Sequence, residues 1–235
     1  PLAWKKNGNI DINNKRNFRT RSSVLIEINN TNILIDCSPD LRQQLYKAKC
    51  TKIDAVFFSH IHSDHTAGLP DMRAMSLINN KIIPAYMPSV MEKEILSHYR
   101  YIFEGVKDYQ PFMSLNLLET EFKINDIKVS TFKHNHGAID AQTFRIGNFA
   151  YSTDFKKFYD NDIDKLKDLD LWVVGLLRID SHPSHAGFND IIEYIDYLKP
   201  KLVLFTHMTA LIDEHEILKK IPSNINAKPS WDGLE

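Results

Sequence analysis

The sequence has few cysteines, no surplus of positive charge and no long apolar segment. Its 235 residues include two cysteines, Cys37 and Cys50, which form no C-x-x-C pair. Two such thiols argue against a disulfide-stapled scaffold and predict a reducing, cytoplasmic location. With 29 Lys and Arg against 30 Asp and Glu, the net charge of −1 argues against non-specific nucleic-acid binding. No apolar run approaches the roughly 18–20 residues of a membrane span, so no membrane partner is expected.

Linkers, internal repeats and low-complexity segments are missing too, so residues 1–235 are predicted to form a single domain. Two early apolar runs, "SSVLIEI" and "NILIDCS", predict a hairpin with its turn at "NNTN" (29–32). Residues 104–118 resemble a loop. Later in the chain, apolar runs alternate with helical segments. This mixture predicts an α/β (α+β) fold in which sheets pack together with helices outside.

Four side chains that commonly bind metals follow directly after the apolar segment "DAVFFS" (54–59). In an extended segment, His60 and His62 can point the same way because they are two residues apart. Asp64 and His65 are adjacent, so their side chains diverge and can serve a second position. One short loop can therefore supply two ligands to each of two metal ions.

Three other apolar runs also end in histidine or aspartate. "VSTFKHNHG" ends in His134 and His136, "FAYSTDF" contains Asp154, and "LVLFTHM" contains His207. Strand ends from distant parts of a chain are where sites are commonly assembled. His134 and His136 are two residues apart and can share a facing, so spacing alone leaves both as candidates. The two oxygens of Asp154 can bridge two cations.

This constellation resembles the metallo-β-lactamase superfamily, whose pattern is His-x-His-x-Asp-His, then His-Gly, then Asp after an apolar strand, then Thr-His. The segments "RTRSSVLIE", "ILIDCSPDLRQQL", "SHPSHAG" and "SWDGLE" are similar to its cyclic-phosphate phosphodiesterase branch. That branch includes the phosphoribosyl cyclic phosphate phosphodiesterase and is related to tRNase Z. The resemblance runs from about residue 16 to the C-terminus and implies a four-layer αββα sandwich. Family members usually begin earlier, so we expect the family's N-terminal strand, and any cysteine zinc site after it, to be missing from this chain.

The resemblance also implies two divalent metal ions, most often zinc, with manganese or iron as alternatives. The implied ligands are His60, His62 and His136 for one ion, Asp64, His65 and His207 for the other, and Asp154 as the bridge. His136 matches the family's His-Gly better than His134 because Gly137 follows it. Where many relatives carry a second histidine shortly after the Thr-His, this chain has Thr209 and Ala210.

The segment "LLRIDSHPSHAGF" (176–188) holds three more candidates outside the ligand set. In the related phosphodiesterases, a histidine at the position of His185 is thought to donate a proton, and an alkoxide leaving group benefits from such an acid. His185 is therefore an expected catalytic residue. Asp64, one of the implied metal ligands, is the other. Arg178 can pair with phosphate oxygens or serve as a surface ion-pair residue, and His182 is a further substrate-binding candidate. Asp36 either supports a ligand histidine or caps its own loop.

Together these residues predict a metal-dependent hydrolase that cleaves a small cyclic or other phosphodiester with water activated by two metal ions. The alternatives are a carboxylic ester, lactone or thioester hydrolase, an RNA-processing nuclease, a di-iron redox protein and a non-catalytic metal-binding protein. The near-neutral charge makes nucleic acid a less favoured partner than a small substrate. Because relatives are commonly dimers, the resemblance also leaves a homodimer open.

Overall fold

A computed structural model of the chain describes residues 10–160 and 162–235. These residues form two compact units. The first unit is Arg21–Lys128, and the second unit joins residues 10–20 to Val129–Glu235. The single domain over residues 1–235 stays a prediction.

The first unit contains a sheet of five strands in the order β1-β2-β3-β4-β5. Its strands are β1 (Val24–Ile28), β2 (Thr31–Ile35), β3 (Ala55–Phe57), β4 (Ile83–Met87) and β5 (Met113–Leu117), and β6 (Glu121–Ile124) follows them in the chain. β1 and β2 are antiparallel, whereas β2, β3, β4 and β5 run parallel. β3 is completely buried with a parallel strand on each side, as its continuous apolar sequence predicted.

The β1–β2 turn is tighter than the sequence pattern predicted. Asn29 and Asn30 alone form it, with φ angles of 47° and 62°, and Ile28 already pairs with Thr31. Two left-handed residues give the turn type whose twist matches a two-residue hairpin, and asparagine tolerates that conformation. The prediction of a turn over 29–32 was therefore wrong by two residues.

The prediction of a loop over residues 104–118 was also wrong in part, because β5 lies within that range. β5 pairs in parallel with β4 at the edge of the sheet, and its residues alternate poorly between buried and exposed positions. An edge strand of this kind forms through pairing with its neighbour, which local sequence does not encode.

The chain segments that connect the strands of the first unit contain four helices. They are α1 (Leu41–Lys47), α2 (Ser63–Thr66), α3 (Met72–Asn79) and α4 (Ser89–Phe103), with a 3₁₀ turn at Leu69–Asp71. Their apolar faces pack with the strands into one buried cluster that includes Leu34, Val56, Phe58, Leu69, Met87 and Met113. α2 is very short and carries two of the candidate ligands, Asp64 and His65.

The second unit contains a sheet in the order β10-β7-β8-β9-β11-β12-β13. Its strands are β7 (Ile127–His136), β8 (Ile139–Ile146), β9 (Phe149–Ser152), β10 (Lys157–Phe158), β11 (Leu171–Gly175), β12 (Leu202–Thr206) and β13 (Ala227–Pro229). Its helices are α5 (Phe188–Leu198) and α6 (Glu214–Lys220), with 3₁₀ turns at Lys15–Asn17 and Ile163–Leu166. The sequence patterns did not indicate β10 or β13, which are both short and lie at the two edges.

Strand directions in this sheet bring three chain segments to one edge. β9, β11 and β12 are mutually parallel, and β7 has the same direction because β8 is antiparallel to both β7 and β9. The carboxyl ends of β7, β9 and β12 therefore lie at the same edge of the sheet. The candidate ligands His136, Asp154 and His207 are found at or just beyond these ends.

Two sheets with helices between the strands confirm the predicted mixed α/β class. A buried cluster containing Trp172, Phe155, Phe188 and Phe205 forms the core of the second unit. Among residues 10–160 and 162–235, every helix is too short or too polar to cross a lipid bilayer.

Candidate metal centre

In the first unit, the chain leaves buried β3 and turns at once into a histidine-bearing loop. His60 is buried and His62 is exposed, yet the Nε2 of His60 lies 2.9 Å from the Nδ1 of His62. Two nitrogens bound to one tetrahedral zinc ion are separated by about 3.3 Å, given Zn–N bonds of about 2.0–2.1 Å. The two rings thus point at a common position, as their spacing in the sequence predicted.

Asp36 connects this loop to the end of β2. It is fully buried and has a left-handed backbone, with φ at 65°. Its carboxylate accepts hydrogen bonds from the backbone N–H and the Oγ–H of Ser59, both at 2.8 Å, and from Nδ1 of His65 at 2.7 Å. Of the two roles left open by the sequence, the structure supports the first, because the Asp36 carboxylate accepts from the candidate ligand His65. Through Ser59 the same carboxylate holds the loop after β3, a role that the sequence did not indicate.

These hydrogen bonds also fix which ring nitrogen of each histidine can bind a metal. His65 carries its proton on Nδ1, facing Asp36, so its Nε2 has the lone pair. The single hydroxyl hydrogen of Ser59 goes to Asp36, so the Nδ1–H of His60, 3.0 Å from Ser59 Oγ, must donate to that oxygen. His60 therefore also presents the lone pair of Nε2, and a carboxylate-supported imidazole is the usual arrangement in zinc sites.

Asp64 is partly exposed, whereas the adjacent His65 is fully buried. Its Oδ2 lies 3.8 Å from Nε2 of His65 and 3.8 Å from Nη1 of Arg21. A carboxylate oxygen and an imidazole nitrogen at this spacing can contribute to one cation. The sequence patterns did not single out Arg21, whose guanidinium group is largely exposed.

In the second unit, Asp154 lies between two candidate histidine ligands. Its Oδ2 is 3.2 Å from Nε2 of His207, and its Oδ1 is 4.0 Å from Nε2 of His136. Asp154 and His136 are almost fully buried, and His207 is only slightly more accessible. Each carboxylate oxygen faces a different imidazole nitrogen, which is the geometry that a bridging ligand requires.

The turn after β7 aligns His136. Gly137 has a φ of 74°, and a Cβ atom there would lie 2.7 Å from Cβ of Ser184, so only glycine fits. The close approach lets Nδ1 of His136 donate to the carbonyl oxygen of Ser184 at 2.9 Å. His136 therefore presents the lone pair of Nε2, as His60 and His65 do.

His185 lies in the same cluster although it is outside the expected ligand set. Its Nδ1 is 3.6 Å from Oδ1 of Asp154, and the ligand atoms of His136, Asp154 and His185 all lie within 4.8 Å of one another. Burial lowers the pKa of His185 to about 4, while the carboxylate of Asp154 opposes the change. The ring is therefore neutral at pH 7 in the absence of another anion.

The other candidates of this segment are placed differently. His182 faces His185 across a tight turn, with its backbone N–H donating to the carbonyl of His185 at 2.9 Å, and its ring bonds with Oγ of Ser184. Arg178 follows β11 on an exposed loop. The structure thus brings His182 next to His185, and the substrate-binding roles of His182 and Arg178 stay predictions.

His134, the alternative to His136, has protein partners at both ring nitrogens. Nδ1 lies 2.9 Å from Oγ1 of Thr143, and Nε2 lies 2.9 Å from the carbonyl oxygen of Thr153. The ring is fully buried, and burial lowers the pKa of His134 to about 4. This geometry favours His136 as the metal ligand and indicates that His134 has a role other than metal binding.

The donor atoms of both clusters suit a divalent metal. They are imidazole nitrogens and carboxylate oxygens, which zinc, manganese and iron accept, and the supporting hydrogen bonds aim the lone pairs. A family model described as "Beta-lactamase superfamily domain" matches residues 31–208. The chain belongs to this superfamily. The resemblance stated from the sequence motifs is therefore confirmed.

Comparisons with known proteins show two relatives of different named activity. The chain is 33% identical over 226 residues to an octanoyltransferase from Porphyromonas gingivalis, a match that covers 92% of this chain and 44% of the relative. It is also 26% identical over 129 residues to a ribonuclease Z from Methanopyrus kandleri, covering 51% of this chain and 41% of the relative. The chain thus spans less than half the length of each of these two relatives.

Among solved structures, the chain is similar to a diphosphatase of the PhnP family. The TM-score is 0.86 with 27% sequence identity, and the alignment covers 94% of this chain and 85% of the other. This likeness and the superfamily membership establish the metallo-β-lactamase fold. The fold implies divalent metal ions, typically zinc, and the histidine and aspartate clusters provide suitable ligands.

Proposed function

We propose that this chain is a phosphodiesterase that uses two divalent cations to hydrolyse a small cyclic or other phosphodiester. Following the family pattern, the proposed ligands are His60, His62 and His136 for one ion, Asp64, His65 and His207 for the other, and Asp154 as the bridge. When bound, the cations supply Lewis-acid activation of water and offset the charge that develops on the phosphate. The likeness to a PhnP-family diphosphatase supports phosphate chemistry.

The observation that carries the proposal is the placement of His185. Hydrolysis of a carboxylic ester by a metal hydrolase needs the ligands but does not require an extra acid beside them. Here a histidine outside the family's ligand pattern lies 3.6 Å from the carboxylate of the proposed bridge, Asp154, on a turn that also contacts His136. An alkoxide leaving group needs a proton donor at such a position.

His185 can serve as that donor once an anionic substrate is bound. A phosphodiester carries a negative charge, and a negative charge nearby raises the pKa of an imidazole. The charge of the substrate therefore opposes the effect of burial. The protonated ring transfers its proton to the departing oxygen and becomes neutral, while a ring that is already neutral can only donate a hydrogen bond from its N–H to that oxygen.

A second candidate function is acyl transfer or thioester hydrolysis, favoured by the identity to an octanoyltransferase. That match leaves more than half of the relative uncovered, so the octanoyl-transferring activity named for it can belong to another part of that protein. Nuclease activity on RNA, suggested by the ribonuclease Z relative, is less favoured because the net charge of −1 provides no large basic surface.

The proposed function predicts the metal content of the chain. Protein purified without chelator is expected to hold about two divalent ions per chain, because seven ligands match a dinuclear count. Elemental analysis by plasma mass spectrometry measures this directly. If the protein contains no transition metal and takes up none on titration, the proposal is wrong.

The metal-loaded protein should then be assayed on a substrate panel. Cyclic ribose phosphates, cyclic nucleotides, a tRNA precursor, p-nitrophenyl acetate and an octanoyl thioester cover the competing functions. We expect the cyclic phosphodiesters to give the highest kcat/KM. Preferential turnover of the thioester would establish acyl chemistry instead, and cleavage of the tRNA precursor alone would establish the nuclease.

A further inference from the structure

His134 is a buried histidine that the proposed mechanism does not use. It lies on β7 two residues before His136, with no exposed surface, and its ring packs edge-on against Phe155 and Phe158. Burying an imidazole ring costs folding free energy unless both of its nitrogens form hydrogen bonds. Its two nitrogens bond with Thr143 of β8 and with Thr153 just after β9, so the ring is part of a hydrogen-bond network.

One end of this network determines the direction of its hydrogen bonds. A carbonyl oxygen can only accept, so Nε2 of His134 carries a hydrogen and donates to the carbonyl of Thr153 at 2.9 Å. Nδ1 then accepts from the hydroxyl of Thr143 at 2.9 Å. The peptide after Thr153 is the one that leads to Asp154.

The other end of the network leads into the core. Oγ1 of Thr143 lies 3.0 Å from Oγ of Ser152. Because Thr143 donates its only hydroxyl hydrogen to His134, the hydrogen between these two oxygens comes from Ser152. Ser152 in turn accepts the indole N–H of Trp172 at 3.1 Å. All four side chains from Trp172 to His134 are fully buried. The indole can only donate, so the chain of hydrogen bonds runs in one direction, from the core to the Thr153 carbonyl.

At Asp154 this chain meets two further constraints. Oγ1 of Thr153 donates to Oδ2 of Asp154 at 2.9 Å, and Asp154 has a left-handed φ of 50°. Gly175 also packs so closely that a Cβ there would lie 2.9 Å from the backbone nitrogen of Asp154. The Thr153–Asp154 peptide is thus contacted by both His134 and Gly175.

We propose that His134 is a positioning residue, which fixes the Thr153–Asp154 peptide through its Nε2–H and thereby orients the carboxylate of Asp154 toward the metals. The inference rests on the proposed function, because it takes Asp154 as a metal ligand. Groups that orient metal ligands typically change metal affinity by roughly 10–100-fold when they are replaced. His134 is expected to have an effect of that size without touching metal or substrate.

Two replacements of similar polarity separate positioning from mere filling of space. In His134→Gln the amide nitrogen reaches the position of Nε2 and can still donate to Thr153, whereas in His134→Asn the shorter amide lies near Nδ1. Competition with a fluorescent chelator should show Zn²⁺ affinity roughly 10–100-fold below wild type in His134→Asn and within about threefold of wild type in His134→Gln. Phe132→Leu, a buried change on the same strand outside the network, is the control and should lower thermal stability without lowering Zn²⁺ affinity.

Thr143→Val gives an independent measurement, because it removes the hydroxyl that orients the ring while preserving side-chain shape. Its Zn²⁺ affinity is expected to fall as well. Unchanged affinity in His134→Asn and Thr143→Val, or equal losses in His134→Asn and His134→Gln, would overturn the positioning role. Wild-type protein that binds no Zn²⁺ would instead overturn the proposed function, so the two failures can be told apart.

Discussion

Asp154→Ala is expected to lose bound metal and hydrolytic activity together. The carboxylate of Asp154 faces Nε2 of His207 and Nε2 of His136 with different oxygens, so its removal should weaken both proposed metal positions at once. Metal content should fall from about two ions per chain to a trace, and kcat/KM on a phosphodiester should fall to background. Elemental analysis and a steady-state assay on the same preparation measure both effects.

The backbone of residue 154 requires a matched control. An alanine with a left-handed backbone destabilises the folded protein by about 1–2 kcal/mol, independently of any role of the side chain that it replaces. Asp168 is an exposed aspartate with a φ of 61°, so Asp168→Ala carries the same backbone cost away from the site. It should keep full metal content and activity. An Asp154→Ala protein that also kept both would show that the proposed ligand set is wrong.

His185→Ala is expected to slow hydrolysis in a way that depends on the leaving group. An alkoxide has a high conjugate pKa and needs a proton, so kcat on an alkyl phosphodiester should fall by roughly 10²–10⁴-fold, the usual loss for a general acid. p-Nitrophenolate is a good leaving group, so the loss on bis-p-nitrophenyl phosphate should be much smaller. Metal content should not change, because His185 is outside the proposed ligand set.

His215→Ala removes an exposed histidine of α6 and serves as the control for this variant. Equal losses on both substrates in His185→Ala would assign His185 to phosphate binding rather than to proton donation. Loss of metal would make His185 a ligand, which its 3.6 Å distance from Asp154 permits. The assignment of His136 and His207 would then have to be revised.

Residues that act through their own chemistry could be identified from the sequence, whereas residues that act through contacts could not. The spacing of His60 and His62 after an apolar strand already predicts two nitrogens that point to one place, and the structure has them 2.9 Å apart. For Asp36 the sequence left two roles open, because a carboxylate that accepts from both Ser59 and His65 depends on where a second strand ends.

Strands and side chains that form through tertiary contacts were also not predictable from the sequence. β5 and β13 are edge strands whose pairing partners lie far away in the sequence, and β13 contains Pro229, which local propensity disfavours in a strand. His134 has the same residue type and a similar strand position as His136, and only its contacts with Thr143 and Thr153 distinguish the two. Such distinctions arise from tertiary packing, which a single sequence does not display.

Three strand ends at the proposed site share a left-handed backbone, with φ angles of 65° at Asp36, 50° at Asp154 and 57° at His207. Asparagine, aspartate, histidine and glycine are the residues that adopt this conformation most readily. Backbone geometry and metal chemistry therefore favour overlapping sets of amino acids at these positions. A descendant of this chain that had lost its catalytic role would be released from only one of the two constraints. It should tend to keep asparagine, aspartate or glycine at positions 36 and 154, as a conformational trace of an ancestral metal site.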